Sequence, residues 1–177
     1  MSDIFSRFAP FIQDYIYRCK WEELREIQVL AAEAVFDTDE NLLLSSGTAS
    51  GKTEAAFLPV LTQLWENPSA SVGVLYLSPL KALINDQFER LEGLLEEAAI
   101  PVTKWHGDAS AAAKKRVMKR PQGVIQTTPE SLESMLMHNS SGAYRLFSDL
   151  RFVIIDEMHY FMDNDRGLQL LCLLERL

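Results

Sequence analysis

Cysteine is scarce: only Cys19 and Cys172 occur, far apart and without metal-type spacing. That excludes a disulfide framework and a cysteine-built zinc site, and it fits reduced thiols in a cytoplasmic protein. Positive charge is also short, with 17 Lys and Arg against 25 Asp and Glu and a formal net charge of −8. A surface coated in basic residues for general nucleic-acid binding is thereby excluded, but a local basic patch is not. No apolar run reaches membrane-spanning length, so no membrane partner is expected. The start, Met1-Ser2-Asp3-Ile4-Phe5, lacks a basic stretch followed by an apolar one, and no signal peptide is read. Repeats, low-complexity tracts and long linkers are missing too. What is there is the composition of one ordinary globular domain, 177 residues with 47% hydrophobic and 24% charged content.

Short apolar runs read as strands at Asn41–Ser46, Val72–Leu77, Val102–Trp105, Gly123–Thr128 and Phe152–Asp156. Several are apolar throughout rather than alternating, as strands buried on both faces of a parallel sheet are. Helical spacing fills the intervals. Leu80, Leu83, Ile84, Phe88, Leu91, Leu95 and Ala98 predict an amphipathic helix over 80–98, and a second is predicted over 51–66 with a kink at Pro59. Thr128 followed by Pro129 suits a Thr cap with Pro at the first helical position. Two further helices, about 4–17 and 21–36, precede the first strand, and a helical pattern runs over Gly167–Leu177. The alternation implies a three-layer α/β domain with a mostly parallel sheet, whose ligands bind at the carboxyl ends of the strands.

Glycine is sparse, at eight residues, yet the stretch Ser46-Gly47-Thr48-Ala49-Ser50-Gly51-Lys52-Thr53 is built almost wholly of small residues. It follows a predicted strand and opens a predicted helix. Small residues let backbone N–H groups turn inward and cradle phosphate oxygens, and the helix N-terminus adds a partial positive charge. Lys52 is then placed to meet the β- and γ-phosphates, and the Thr53 hydroxyl to ligate magnesium. Ser46 stands where Gly or Ala is usual, and Ala49 where many such loops carry Gly. The alternative is a tight strand–helix turn that holds nothing.

Residues 152–159 read Phe-Val-Ile-Ile-Asp-Glu-Met-His. A buried strand thus ends in two adjacent carboxylates, which carry a desolvation cost unless something compensates it. Hydrated magnesium suits Asp156, and Glu157 is then free to orient and deprotonate a water. A solvated strand exit is the alternative. His159 lies within reach of the same region, although a lone His is most often a surface or structural residue.

The loop SGTASGKT and the box Asp156-Glu157-Met158-His159 together resemble the ATP-binding domain of superfamily 2 DExH/DEAD-box helicases. Leu24-Arg25-Glu26-Ile27-Gln28, Ser78-Pro79-Leu80-Lys81-Ala82-Leu83, Trp105-His106-Gly107-Asp108, Thr127-Thr128-Pro129-Glu130-Ser131 and Arg166-Gly167 stand in the family's order, most similar to the Lhr-type branch. The resemblance implies a RecA-like P-loop NTPase fold, with ATP and Mg²⁺ as cofactors. It implies nucleotide contacts from Gln28, Gly47, Thr48, Ala49, Ser50, Gly51, Lys52 and Thr53, with Gln28 reading adenine through its amide. Thr53 and Asp156 become magnesium ligands, and Glu157, Lys52 and His159 the catalytic set. Pro79, Lys81, Gly107, Thr128 and Pro129 become contacts to a DNA or RNA backbone. Read bottom-up, Gln28 is also an ordinary helix Gln, and Pro79 to Lys81 and Thr128-Pro129 are also ordinary helix starts. The basic run Lys114-Lys115-Arg116 with Lys119-Arg120 reads first as a solvated helix face.

The family's Ser-Ala-Thr coupling motif and its second RecA-like domain, which carries the arginine fingers, have no counterpart here. The expected organisation is therefore N-terminal helices with the Gln element over 1–36 and the first RecA-like domain over 37–177. The expected function is the ATP-binding motor domain of a helicase or translocase that needs the second domain as partner and turns over slowly alone. A nucleotide-binding switch without turnover is the alternative, and a P-loop kinase leaves PLKAL and TTPES unexplained.

Overall fold

The computed structural model describes residues 3–47 and 50–177, and for 85–92 the backbone only. The chain divides into two units, Met1–Pro68 and Ser69–Leu177.

The first unit is helical. A 3₁₀ turn, Asp3–Arg7, precedes α1 (Pro10–Arg18), α2 (Glu26–Asp37) and α3 (Lys52–Glu66). The single helix expected over 4–17 is split, because Pro10 takes the first position of a new helix. The helix expected from residue 21 begins only at Glu26, where the Gln28 side-chain oxygen accepts the Arg25 N–H at 3.0 Å. Helices α2 and α3 pack together, and the Gln63 amide donates to the Val35 carbonyl at 2.7 Å. Pro59 lies inside α3 and is buried. The expected strand Asn41–Ser46 is not formed: the stretch has no regular structure and Leu43 is 81% exposed. An apolar run supplies what a buried strand needs, but only a hydrogen-bonded ladder makes one.

The second unit is the sheet. Strands β1 (Val72–Leu77), β2 (Val102–Trp105), β3 (Gly123–Thr127) and β4 (Phe152–Ile155) lie in the order β2-β3-β1-β4, every pair parallel. Their carboxyl ends therefore share one edge. Helices α4 (Lys81–Glu97), α5 (Ala111–Lys119), α6 (Pro129–His138), α7 (Ser140–Leu146) and α8 (Asp165–Leu174) connect and follow them. The expected strand at 123–128 stops at Thr127 and that at 152–156 stops at Ile155, so Thr128 and Asp156 sit just past the ladder. Leu75, Leu77 and Ile125 pack with Val117, Leu132, Leu146 and Leu170 into one core. Gly123 opens β3 at φ +77°, and a Cβ there would stand 2.0 Å from the Pro101 carbonyl oxygen, so only glycine fits.

Among the described residues no helix is long and apolar enough to cross a membrane. Both cysteines are free and exposed.

Candidate functional site

The small-residue loop ends at Gly51, whose φ of +86° is the left-handed turn that starts α3. A Cβ on Gly51 would meet Gln28 Nε2 at 2.7 Å, so the loop passes directly over that side chain. Gln28 is 2% exposed, and its oxygen is already bonded to the Arg25 N–H. In this arrangement the amide lies against the loop while its oxygen caps α2. Lys52, the first residue of α3, turns its ammonium back over the loop and donates to the carbonyls of Ser46 (2.7 Å) and Gly47 (2.8 Å). The hydroxyls of Ser46 and Ser50 are hydrogen-bonded to each other. Thr53 is half-buried in the first turn of α3. Thr48 and Ala49 lie outside the described residues.

In the sheet unit, Asp156 follows β4 and its N–H donates to the Leu77 carbonyl at 2.8 Å, which fixes it beside the end of β1. Its carboxylate holds two bonds: Oδ2 accepts the Tyr76 hydroxyl at 2.5 Å and Oδ1 accepts the Glu157 N–H at 3.0 Å. Burial, and then the charge of Asp156, raises the Tyr76 phenol far above its ordinary value, so it stays a donor. Glu157 adopts φ +50°, ψ +48°, a left-handed conformation that costs a non-glycine residue about 1–2 kcal/mol. It turns the chain straight from β4 into a 3₁₀ turn, Met158–Phe161. Strain of this kind persists where the surroundings impose it, and such positions cluster at active sites. His159 Nδ1 lies 3.2 Å from Glu157 Oε2, and its ring lies tilted against that of Tyr160 with centroids 4.5 Å apart.

Around the same sheet edge stand the elements expected to face nucleic acid. Lys81, the first residue of α4, pairs with Asp108 at 2.8 Å, and Gly107 lies under its ammonium. Lys81 holds the Asp108 carboxyl below its ordinary range. Both side chains are well exposed, so the pair is weak and open to exchange. Thr128 caps α6, accepting the Ser131 N–H at 3.4 Å, with Pro129 at the first position. The Arg166 guanidinium ties the region together. It donates to Glu130 Oε1 at 2.7 and 3.0 Å and to the Pro79 carbonyl at 2.9 Å. Thus α8, α6 and the segment leading into α4 share one cation. Within the basic run, Lys114 turns inward to the His106 carbonyl at 2.6 Å, while Lys115, Arg116, Lys119 and Arg120 remain exposed.

Sequence reasoning missed Tyr76, and it named His106 within the stretch Trp105 to Asp108 without giving it a role. Tyr76 carries the one side-chain polar group of an otherwise apolar strand, and a buried hydroxyl of that sort calls for a partner. His106, 6% exposed, has no hydrogen-bond partner on either ring nitrogen among the described residues, and burial pushes its pKa below the ordinary value.

Among the described residues no group of three or more His, Cys, Asp or Glu could hold a metal alone. In the sheet unit Asp156 offers one carboxylate with a free lone pair on each oxygen. A single carboxylate of this kind fits magnesium, which binds through one or two protein oxygens and keeps water and phosphate for the rest.

The DEAD/DEAH box helicase family matches residues 25–177 of this chain. The chain is 32% identical over 191 aligned residues to the ATP-dependent helicase Lhr-Core of Methanothermobacter thermautotrophicus, covering 99% of this chain and 22% of that protein. It is 37% identical over 155 residues to Lhr-Core of Methanocaldococcus jannaschii, covering 78% of this chain and 18% of that protein. The chain therefore spans about a fifth of the length of these curated relatives. Its structure is similar to that of the helicase MrfA, with TM-score 0.83 and 28% identity over 99% of this chain and 27% of that one. For MrfA bound to DNA and AMPPNP the TM-score is 0.78 at 29% identity, over 91% of this chain and 22% of that one. A DEAD-box helicase bound to ssRNA and UDP-BeF shares the fold at TM-score 0.83 and 17% identity, over 96% of this chain and 36% of that one. The mixed α/β fold with its all-parallel sheet is thus that of RecA-like helicase domains.

Proposed function

Because the chain belongs to the DEAD/DEAH box helicase family, we propose that it is the ATP-binding motor domain of an ATP-dependent helicase or translocase. The observation that carries this reading is the acidic strand end. Asp156 is held by two hydrogen bonds, and Glu157 is turned out of the strand in a strained conformation with His159 against it.

In this reading the N–H groups at the start of α3 and the Lys52 ammonium bind the phosphates of ATP. Lys52 exchanges the carbonyls of Ser46 and Gly47 for phosphate oxygens, and such charge-assisted bonds are the stronger ones. Gly47, Thr48, Ala49, Ser50 and Gly51 line the loop, and Gln28 lies against it and meets the adenine. Thr53 and Asp156 would hold magnesium, which offsets the charge of the phosphates when bound. Glu157 accepts a proton from the attacking water as the water oxygen bonds the γ-phosphorus and the bond to the β-phosphate oxygen breaks. His159 orients the Glu157 carboxylate.

Pro79, Lys81, Gly107, Thr128 and Pro129 lie at the carboxyl ends of β1, β2 and β3, the sheet edge that also carries Asp156 and Glu157. We propose that they hold a DNA or RNA backbone, with Lys81 exchanging Asp108 for a phosphate. A second RecA-like domain, outside these residues, is the proposed partner that closes over the nucleotide. The cytoplasm, where free thiols such as Cys19 and Cys172 persist, is the proposed compartment.

The test is the ATPase rate of the intact protein titrated with single- and double-stranded DNA and RNA. Turnover is expected to rise to a plateau with at least one of the four, and which one does so identifies the track. A rate indifferent to all four would overturn the motor reading.

A further inference from the structure

Tyr76 sits in β1 opposite Ile154 of β4, and its hydroxyl reaches along that face to Asp156 Oδ2. The residue is 2% exposed in a strand that is otherwise apolar. A phenylalanine would fill the same space. What the hydroxyl adds is polar contact, and the bond at 2.5 Å ends on the carboxylate at the exit of the neighbouring strand.

We propose that Tyr76 is a positioning residue for magnesium–ATP binding, holding the Asp156 carboxylate in a fixed orientation at the sheet edge. A carboxylate past the last ladder bond is free to rotate about χ1 and χ2 unless bonds on its oxygens stop it. Here there are two, and they come from different directions. The Glu157 N–H binds Oδ1 from the turn, and the Tyr76 hydroxyl binds Oδ2 from the sheet face. The turn bond alone is local, made by the next residue, and moves with the backbone it belongs to. Tyr76 ties the carboxylate to a buried ring on another strand, so the orientation is set by the core. Each oxygen keeps a second lone pair for a cation or for the waters around one. Outer partners that orient a ligating group in this way typically account for about 10- to 100-fold in metal affinity.

This inference rests on the reading of Asp156 as a magnesium ligand, and the experiment separates the two. Affinity of the intact protein for a fluorescent ATP analogue is measured across a magnesium titration and again in excess chelator, for wild type, Tyr76→Phe and Asp156→Asn. Tyr76→Phe is expected to raise the half-saturating magnesium concentration about tenfold and to leave affinity in chelator unchanged. A lost structural contact would not single out the magnesium-dependent part. If Asp156→Asn shifts the magnesium dependence and Tyr76→Phe does not, the proposal is overturned and the reading of Asp156 stands. If neither variant shifts it, the reading of Asp156 fails and takes the proposal with it. If Tyr76→Phe loses binding equally with and without magnesium, Tyr76 serves the fold rather than Asp156, and the proposal is overturned.

Discussion

Glu157→Gln is expected to leave ATP binding intact and to lower its turnover by about 10²- to 10⁴-fold, the usual weight of a general base. The amide keeps the size and hydrogen-bonding reach of the carboxylate but accepts no proton from water. The backbone at Glu157 stays in its left-handed conformation, at φ +50°, since glutamine meets the same steric cost as glutamate there. His159 Nδ1 can still bond the side-chain oxygen it now approaches at 3.2 Å. Folding and nucleotide affinity should therefore match the wild type while the chemical step fails. Single-turnover hydrolysis of prebound ATP reads that step without product release. A rate within about threefold of wild type, well short of the general-base range, would remove Glu157 from the mechanism.

A second large effect concerns residues 1–177 on their own. Their ATP turnover is expected to fall about 10³- to 10⁵-fold below that of the intact protein with saturating nucleic acid, the range a missing arginine finger costs. Phosphoryl transfer depends on positioning and on offsetting charge that develops in the transition state. In the proposed mechanism Lys52 and the start of α3 supply part of that offset. The rest is assigned, by resemblance, to arginines of a second RecA-like domain. ATP binding should survive far better than turnover, because most of the proposed phosphate contacts lie in the loop at 46–53. Steady-state assays of both polypeptides side by side check this. Equal turnover with equal stimulation by nucleic acid would make the second domain dispensable.

Much of the sheet was legible because its central strand β1, Val72–Leu77, is an almost wholly apolar run closed by Ser78-Pro79, and the ladder begins and ends where that run does. The cap at Thr128-Pro129 was legible because its chemistry is local. Asn41–Ser46 was misread for a physical reason. Apolar content reports a tendency to be buried, whereas a strand also needs a neighbour to bond, and single-sequence periodicity holds no record of neighbours. The same limit hid the pairings at the site. Tyr76 reads as strand filler because the carboxylate it binds is 80 residues away. Arg166 was noticed as part of a motif, yet its bond to the Pro79 carbonyl spans 87 residues and depends on how α8 and α6 meet. Lys52 was legible by type and place. Its bonds to Ser46 and Gly47 were not, because they follow from the loop conformation rather than from residue identity.

The central claim is that the loop ending in Gly51-Lys52-Thr53 binds the phosphates of ATP, and equilibrium binding of magnesium–ATP to Lys52→Ala tests it most directly. The substitution removes two hydrogen bonds to carbonyls of exposed residues, so the unfolding free energy should stay within about 0.5 kcal/mol of wild type, as for most surface changes. Charge-assisted bonds to phosphate are worth about 1.5–3 kcal/mol each, so losing the ammonium should weaken ATP binding roughly a hundredfold or more. The account predicts a folded variant with that loss, measured by calorimetric titration. A folded Lys52→Ala protein that binds ATP within about twofold of wild type, a difference of only about 0.4 kcal/mol, would contradict it.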